Sequence, residues 1–190
     1  MSVHVSEILT LIVTAALAGC AGNPRCPDIP GGPRYCLQAT SAVTPYVALQ
    51  DIRIQRGDLD ERLIAQLEVD AAGMHLAGLT PMGQRVLEAH FDNREATADS
   101  LAGDRFDARA LLSLVQIAVW PAASVRAGLS SGLGEDWELL ETPALRRLLR
   151  DGAAILEVAR EGEPPRYRRL DIRLPGAGLS LTVQGIKEDD

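Results

Sequence analysis

Residues 62–91 read RLIAQLEVDAAGMHLAGLTPMGQRVLEAHF, and this stretch decides the fold. Leu63, Ala65, Leu67 and Val69 fall in one phase, Arg62, Gln66, Glu68 and Asp70 in the other. A two-residue period of this kind marks a strand with one buried face. A turn over residues 70–73 follows, and Met74 and Leu76 carry the apolar phase through a second strand over residues 74–79. Thr80-Pro81-Met82-Gly83 is the next turn, after which Arg85, Leu87, Ala89 and Phe91 alternate with Gln84, Val86, Glu88 and His90. Successive strands joined by short turns predict an antiparallel sheet, which can keep one face wet.

The same alternation begins near Tyr46 and returns at the far end of the chain, in Leu170, Ile172 and Leu174 and in Leu179, Leu181 and Val183. Asp151-Gly152, between residues 145–150 and 153–160, is a hairpin signal. The middle breaks the pattern. Residues 107–119, DARALLSLVQIAV, place Ala108, Leu111, Leu112, Val115, Ala118 and Val119 at helical spacing, with Asp107 as N-cap. Trp120-Pro121 ends that helix, and Pro121 opens a second short one through Ala127. Residues 128–134, GLSSGLG, read as a flexible loop. The predicted class is α+β, mainly β: a curved antiparallel sheet with a short helical lid over one face.

Composition narrows the function. The chain has 190 residues, enough for one domain with a short appendage. Its formal charge is −7 with no basic run, and aromatics make up 4%. Phosphate-backbone binding wants basic patches and single-stranded nucleic acid wants stacking platforms, so no nucleic-acid partner is expected.

The amino-terminal stretch is read separately. Residues 8–18, ILTLIVTAALA, are the length of a signal-peptide apolar region and too short to span a bilayer. The following Leu17-Ala18-Gly19-Cys20 resembles the bacterial lipobox, in which the cysteine is acylated (palmitate being the usual label) and becomes the new amino terminus. Residues 1–7 depart from the usual pattern in carrying no Lys or Arg. The other reading is a core helix ending in a buried cysteine. By resemblance, residues 1–19 are a signal peptide, Cys20 is the lipid attachment site and the membrane anchor, and Ala21 after it implies the outer membrane, with the domain facing the periplasm. Residues 20–45, rich in Pro and Gly, read as a lipidated tether, and residues 46–190 as a single domain. Cys26 and Cys36 either close a small disulfide loop in that oxidising compartment or stand as separate thiols.

No catalytic constellation is legible. Phosphate-binding glycine loops are absent, and the expectation is a non-enzyme without cofactor. His75 and His90 occupy the polar phases of adjacent strands and read as solvated, not as metal ligands. Glu135, Asp136, Glu138 and Glu141 read as a solvated acidic face.

An apolar sheet face under helices either encloses a cavity or fills as a dry core, and periodicity does not separate the two. The candidate lining is Leu63, Leu67, Val69, Met74, Leu76, Leu87 and Phe91 from the sheet, with Leu112, Val115 and Trp120 from the helices. Trp120 and Pro121 mark the hinge of the lid. Four stretches, Gln66-Leu67-Glu68-Val69-Asp70, residues 79–85 (LTPMGQR), Val119-Trp120-Pro121 and Asp151-Gly152, resemble an uncharacterised family of bacterial outer-membrane lipoproteins. Genes of that family accompany fatty-acid-synthase-like clusters that make aryl-polyene lipids. The family is similar in turn to lipoprotein carriers and receptors of the LolA/LolB type, whose fold is an unclosed β-barrel lidded by helices. The resemblance implies a hydrophobic lipid-like ligand, acyl or polyene, bound or handed on without covalent chemistry. The alternatives are a filled-core assembly module working with envelope export proteins, and a periplasmic enzyme of the same lipid pathway. In the localisation receptors a Pro-apolar-Gly turn presents an apolar residue to the membrane, and Met82 matches it. A tip methionine folded back over the sheet edge is the other reading.

Overall fold

The computed structural model describes residues 25–29, 31–101, 108–130 and 137–186. Cys20, the signal-peptide stretch, Asp107, Glu135 and Asp136 lie outside these. Among the described residues, five strands precede two helices and five follow. They are β1 (Tyr46–Arg56), β2 (Leu59–Val69), β3 (Met74–Leu79), β4 (Arg85–Phe91), β5 (Ala96–Ser100), α1 (Ala108–Val119), α2 (Ala122–Ser130), β6 (Trp137–Glu141), β7 (Leu145–Arg150), β8 (Ala153–Gly162), β9 (Tyr167–Leu174) and β10 (Leu179–Gly185).

All ten strands form one antiparallel sheet in the order β5-β4-β3-β2-β1-β10-β9-β8-β7-β6. The chain starts at the centre, meanders out to one edge, crosses by the helices to the other edge, and meanders back until β10 pairs with β1. The edges β5 and β6 do not pair with each other, so the sheet is unclosed. The turns explain the meander. Asp151 and Gly152 both have positive φ, 51° and 74°, the backbone a two-residue hairpin needs to match strand twist. At the β2–β3 turn the Asp70 carboxylate accepts the N–H groups of Ala72 and Gly73 at 2.7 and 2.9 Å.

Alternation in the sequence becomes two faces. Leu67, Val69, Met74, Leu76, Leu87, Ala89 and Phe91 are buried, as are Leu170, Ile172, Leu174, Leu181 and Val183 on the other half. The outer face carries ion pairs, Arg53 with Asp60 and Arg62 with Asp51, across β1 and β2. Helix α1 lies on the inner face over β4, β5 and β9, burying Leu111, Leu112, Leu114, Ile117 and Ala118.

Two expectations are corrected. Helix α2 runs through Ser130, not to Ala127, so residues 128–130 of the expected loop are helical and the rest of it lies outside the described residues. Position 128 in the helix has room only for glycine, because a Cβ there would meet the Tyr35 ring at 2.4 Å and the Cys36 carbonyl oxygen at 2.7 Å. The second correction explains that contact. The described part of the expected tether is packed: Ile29, Tyr35, Leu37 and Thr40 are buried against the domain. Pro and Gly set its turns, but its apolar side chains decide its place. A disulfide joins Cys26 to Cys36 within this strap. Fully buried Gln116 of α1 holds it, donating to the Gln38 carbonyl at 2.9 Å and accepting the Gln38 N–H at 2.7 Å and the Tyr35 hydroxyl at 3.2 Å. The Trp120 indole N–H donates to the Ala39 carbonyl at 3.2 Å.

Candidate functional site

A cleft of about 380 Å³ opens at the α1–α2 junction between the strap and the ends of β6 to β9. Its lining includes Val43, Trp120, Pro121, Tyr167 and the charged trio Glu141, Arg146 and Arg160. The trio arises from register. Glu141 faces Arg146 across β6 and β7. Arg146 and Leu148 share the inner phase of β7, and Leu156, Val158 and Arg160 that of β8. Both arginines therefore stand where a hydrophobic residue is expected. Their side chains are 1% and 3% exposed.

Arg146 donates to Glu141 Oε1 at 2.6 Å and to the carbonyl of Ile117, in the last turn of α1. A cation there satisfies a carbonyl left over by the helix and sits at the negative end of its dipole. Arg160 donates to the same Glu141 oxygen at 3.2 Å and to the Thr142 carbonyl at 2.6 Å, and lies 5.7 Å from the centre of the Tyr167 ring. The Nε–H of each arginine is buried without a partner. Burial works to raise the Glu141 carboxyl, but the hydrogen-bonded guanidiniums of Arg146 and Arg160 outweigh it and hold it below the usual carboxylate range. Burial pulls Arg146 below an ordinary guanidinium against the attraction of Glu141, yet an arginine stays charged at physiological pH. Glu141 thus belongs to a half-buried ion triad and not to a solvated acidic face. Glu138 is exposed, as expected.

Deeper in, a space of about 20 Å³ separates α1 from the sheet, with room for about one water. Ile52, Leu76, Val115, Val119, Leu170 and Ile172 border it. Val119 also borders the cleft and so stands between the two. Of the ten residues expected to line a cavity, Leu76 and Val115 therefore line this narrow space and Trp120 the cleft. Leu67, Val69, Met74, Leu87, Phe91 and Leu112 are buried as packed core, and Leu63 is half-buried against it. Cavity and filled core were both left open by periodicity, and in the structure α1 packs on the sheet with this narrow space between them.

Met82 is 90% exposed, in a turn closed by the Gly83 N–H to the Thr80 carbonyl at 2.8 Å. It is not folded back over the sheet edge. The turn is at the opposite end of the strands from the arginine cleft, the end that also exposes Leu101. His75 and His90 are direct cross-strand partners with ring centres 6.3 Å apart, and His75 Nε2 lies 2.9 Å from Glu88. Among the described residues no three His, Cys, Asp or Glu side chains are grouped to hold a metal ion. None of the described helices is long and apolar enough to cross a membrane.

These features define a class: a mainly β domain in which two helices and an amino-terminal strap cover the apolar face of an unclosed antiparallel sheet. The chain belongs to the family described as "Protein of unknown function (DUF3261)", which matches residues 47–186. No curated protein matches. Nine solved chains do. One is offered as an outer membrane lipoprotein-sorting protein domain from Vibrio parahaemolyticus, with 7% identity, 74% of this chain and 83% of that chain covered, and a TM-score of 0.34. A likeness at that level says nothing of ligand or role.

Proposed function

We propose that the domain binds a lipid-like molecule on the inner face of its sheet, beneath the helices, and hands it on without covalent chemistry. The observation that carries this reading is the position of the cleft beside the mostly apolar space under α1, with Val119 as the wall they share. An acyl or polyene chain entering there would be driven by burial of apolar surface, worth roughly 25 cal/mol per Å². The helices must lift to admit it, with Trp120-Pro121 as the hinge, since Pro121 leaves the helical ladder without a donor. In a Trp137→Phe background, which removes the second indole, Trp120 emission is expected to shift or quench on titration with palmitic acid. An unchanged spectrum at saturating lipid contradicts the reading. The tight seat of α1 favours the second reading, a filled-core assembly module meeting envelope export proteins, and that result would select it.

In this reading Cys20 anchors the protein to the outer membrane. Cys20→Ala is expected to abolish metabolic palmitate labelling, and a mutant that labels like the wild type would refute the lipobox. Met82 is the proposed membrane-contact tip. Because the side chain is almost wholly exposed, Met82→Glu is expected to change stability by no more than about 0.5 kcal/mol. The same substitution should slow transfer of bound lipid to liposomes, and unaltered transfer would remove the role.

A further inference from the structure

We infer that the Arg146–Arg160 cleft is a recognition site for the carboxylate head of a long-chain acid. The inference rests on the lipid-binding reading and names the chemistry of the ligand's polar end.

Two guanidiniums share one carboxylate, so the trio carries one net positive charge on side chains almost wholly removed from water at the arginines. An unbalanced charge in such a place is costly unless paired and hydrogen-bonded. The internal partners are already used: the Ile117 and Thr142 carbonyls take one N–H each, Glu141 takes one from each arginine, and the face of Tyr167 supplies only a partial negative charge. Most guanidinium donors are left over, the two Nε–H groups among them. A singly charged oxyanion supplies what is missing, one negative charge and two acceptor oxygens. A carboxylate is the smallest group that matches an arginine in plane and charge.

The second observation is what lies beside this charge. Across the sheet, Arg160 is followed in register by Leu170, Val183 and Ile52. Arg146 is followed by Val158, Ile172 and Leu181. Neighbouring strands are about 4.8 Å apart, so within about 10 Å each inner-face row passes from a guanidinium to a purely aliphatic surface. Those aliphatic residues include the ones bordering the narrow space under α1. One polar pole leading onto one apolar track fits an amphiphile with a single anionic end. The free end of its chain would lie under α1.

The test compares ligands of equal chain length on the wild-type protein, by displacement of a dansylated undecanoic acid. Palmitic acid is expected to bind about tenfold or more tightly than hexadecanol, since the contacts at stake are charge-assisted. Arg160→Gln leaves the neutral Arg146–Glu141 pair and so a foldable site. It is expected to remove the advantage of palmitic acid while sparing hexadecanol. Sodium acetate, the head without the tail, is expected to leave the melting temperature unchanged at millimolar concentration. Equal binding of acid and alcohol overturns the inference and leaves the lipid-binding reading standing. Acetate stabilising as strongly as palmitic acid also overturns it, by showing a site for free anions. If neither long-chain ligand displaces the probe, the lipid-binding reading fails and takes this inference with it.

Discussion

Glu141→Ala is expected to destabilise the domain by about 3 kcal/mol, the low end for breaking a buried ion pair because the cleft admits some water. Removal of the carboxylate leaves Arg146 and Arg160 facing each other with no counter-charge, on strands β7 and β8, and loosens the tie from β7 to the end of α1. Urea denaturation measures the effect as a fall in the midpoint at unchanged slope. A loss under about 0.5 kcal/mol would make the trio an ordinary surface cluster. Acid probes the same contact. The folded pKa of Glu141 lies below its ordinary 4.5, so the stability it contributes is complete above about pH 4.5 and is lost as pH falls through the folded value. A Glu141→Gln protein, which cannot ionise there, should show a shallower decline of melting temperature over that acid range than the wild type.

Gln116→Leu is expected to cost about 2–4 kcal/mol although it keeps volume and burial. Its amide satisfies both backbone groups of Gln38 and the Tyr35 hydroxyl, and leucine strands all three. Burial pushes the Tyr35 phenol well above its ordinary 10, so it stays a donor at any working pH and cannot escape by ionising. The strap would then detach from α1 and expose residues beside Trp120. Hydrogen exchange should report this as faster exchange of the Cys36, Leu37 and Gln38 amides. If the lid must lift to load a lipid, the same substitution should also speed uptake. Wild-type stability in this variant would mean that the strap does not hold the helices.

These two contacts are where the sequence was hardest to read. Strands β2, β3, β4, β9 and β10 were legible because each alternates cleanly, and Asp151-Gly152 marked its own hairpin. Strand β5 (ATADS) has too little apolar content for a period to show, and β6 (WELLE) places its leucines side by side. The packing of the strap is not legible, because Pro and Gly announce turns but do not say whether the residues between them are buried. Tyr35 and Leu37, two apart and followed by no charge until Asp51, were the available hint. The ion triad is hidden in the sequence because charge clusters are usually wet. Its signal lay in phase: in Leu156-x-Val158-x-Arg160 a cation continues an apolar series, and Arg146 does the same two residues before Leu148. A charge in the buried phase of a strand is a functional-site hypothesis, while the same charge in the other phase is solvent-facing. The choice between cavity and filled core has no signal in the sequence, since the same side chains serve to line a space or to fill it.

Mass spectrometry of an organic extract from the protein, purified without detergent exchange from the cells that make it, tests the lipid-binding account most directly. The account predicts a long-chain acid near one equivalent per domain, reduced in Arg160→Gln, and separable from the acyl groups on Cys20 by using a Cys20→Ala chain exported on a cleavable signal. A domain that carries no extractable lipid, and takes up none when incubated with palmitic acid, would contradict it.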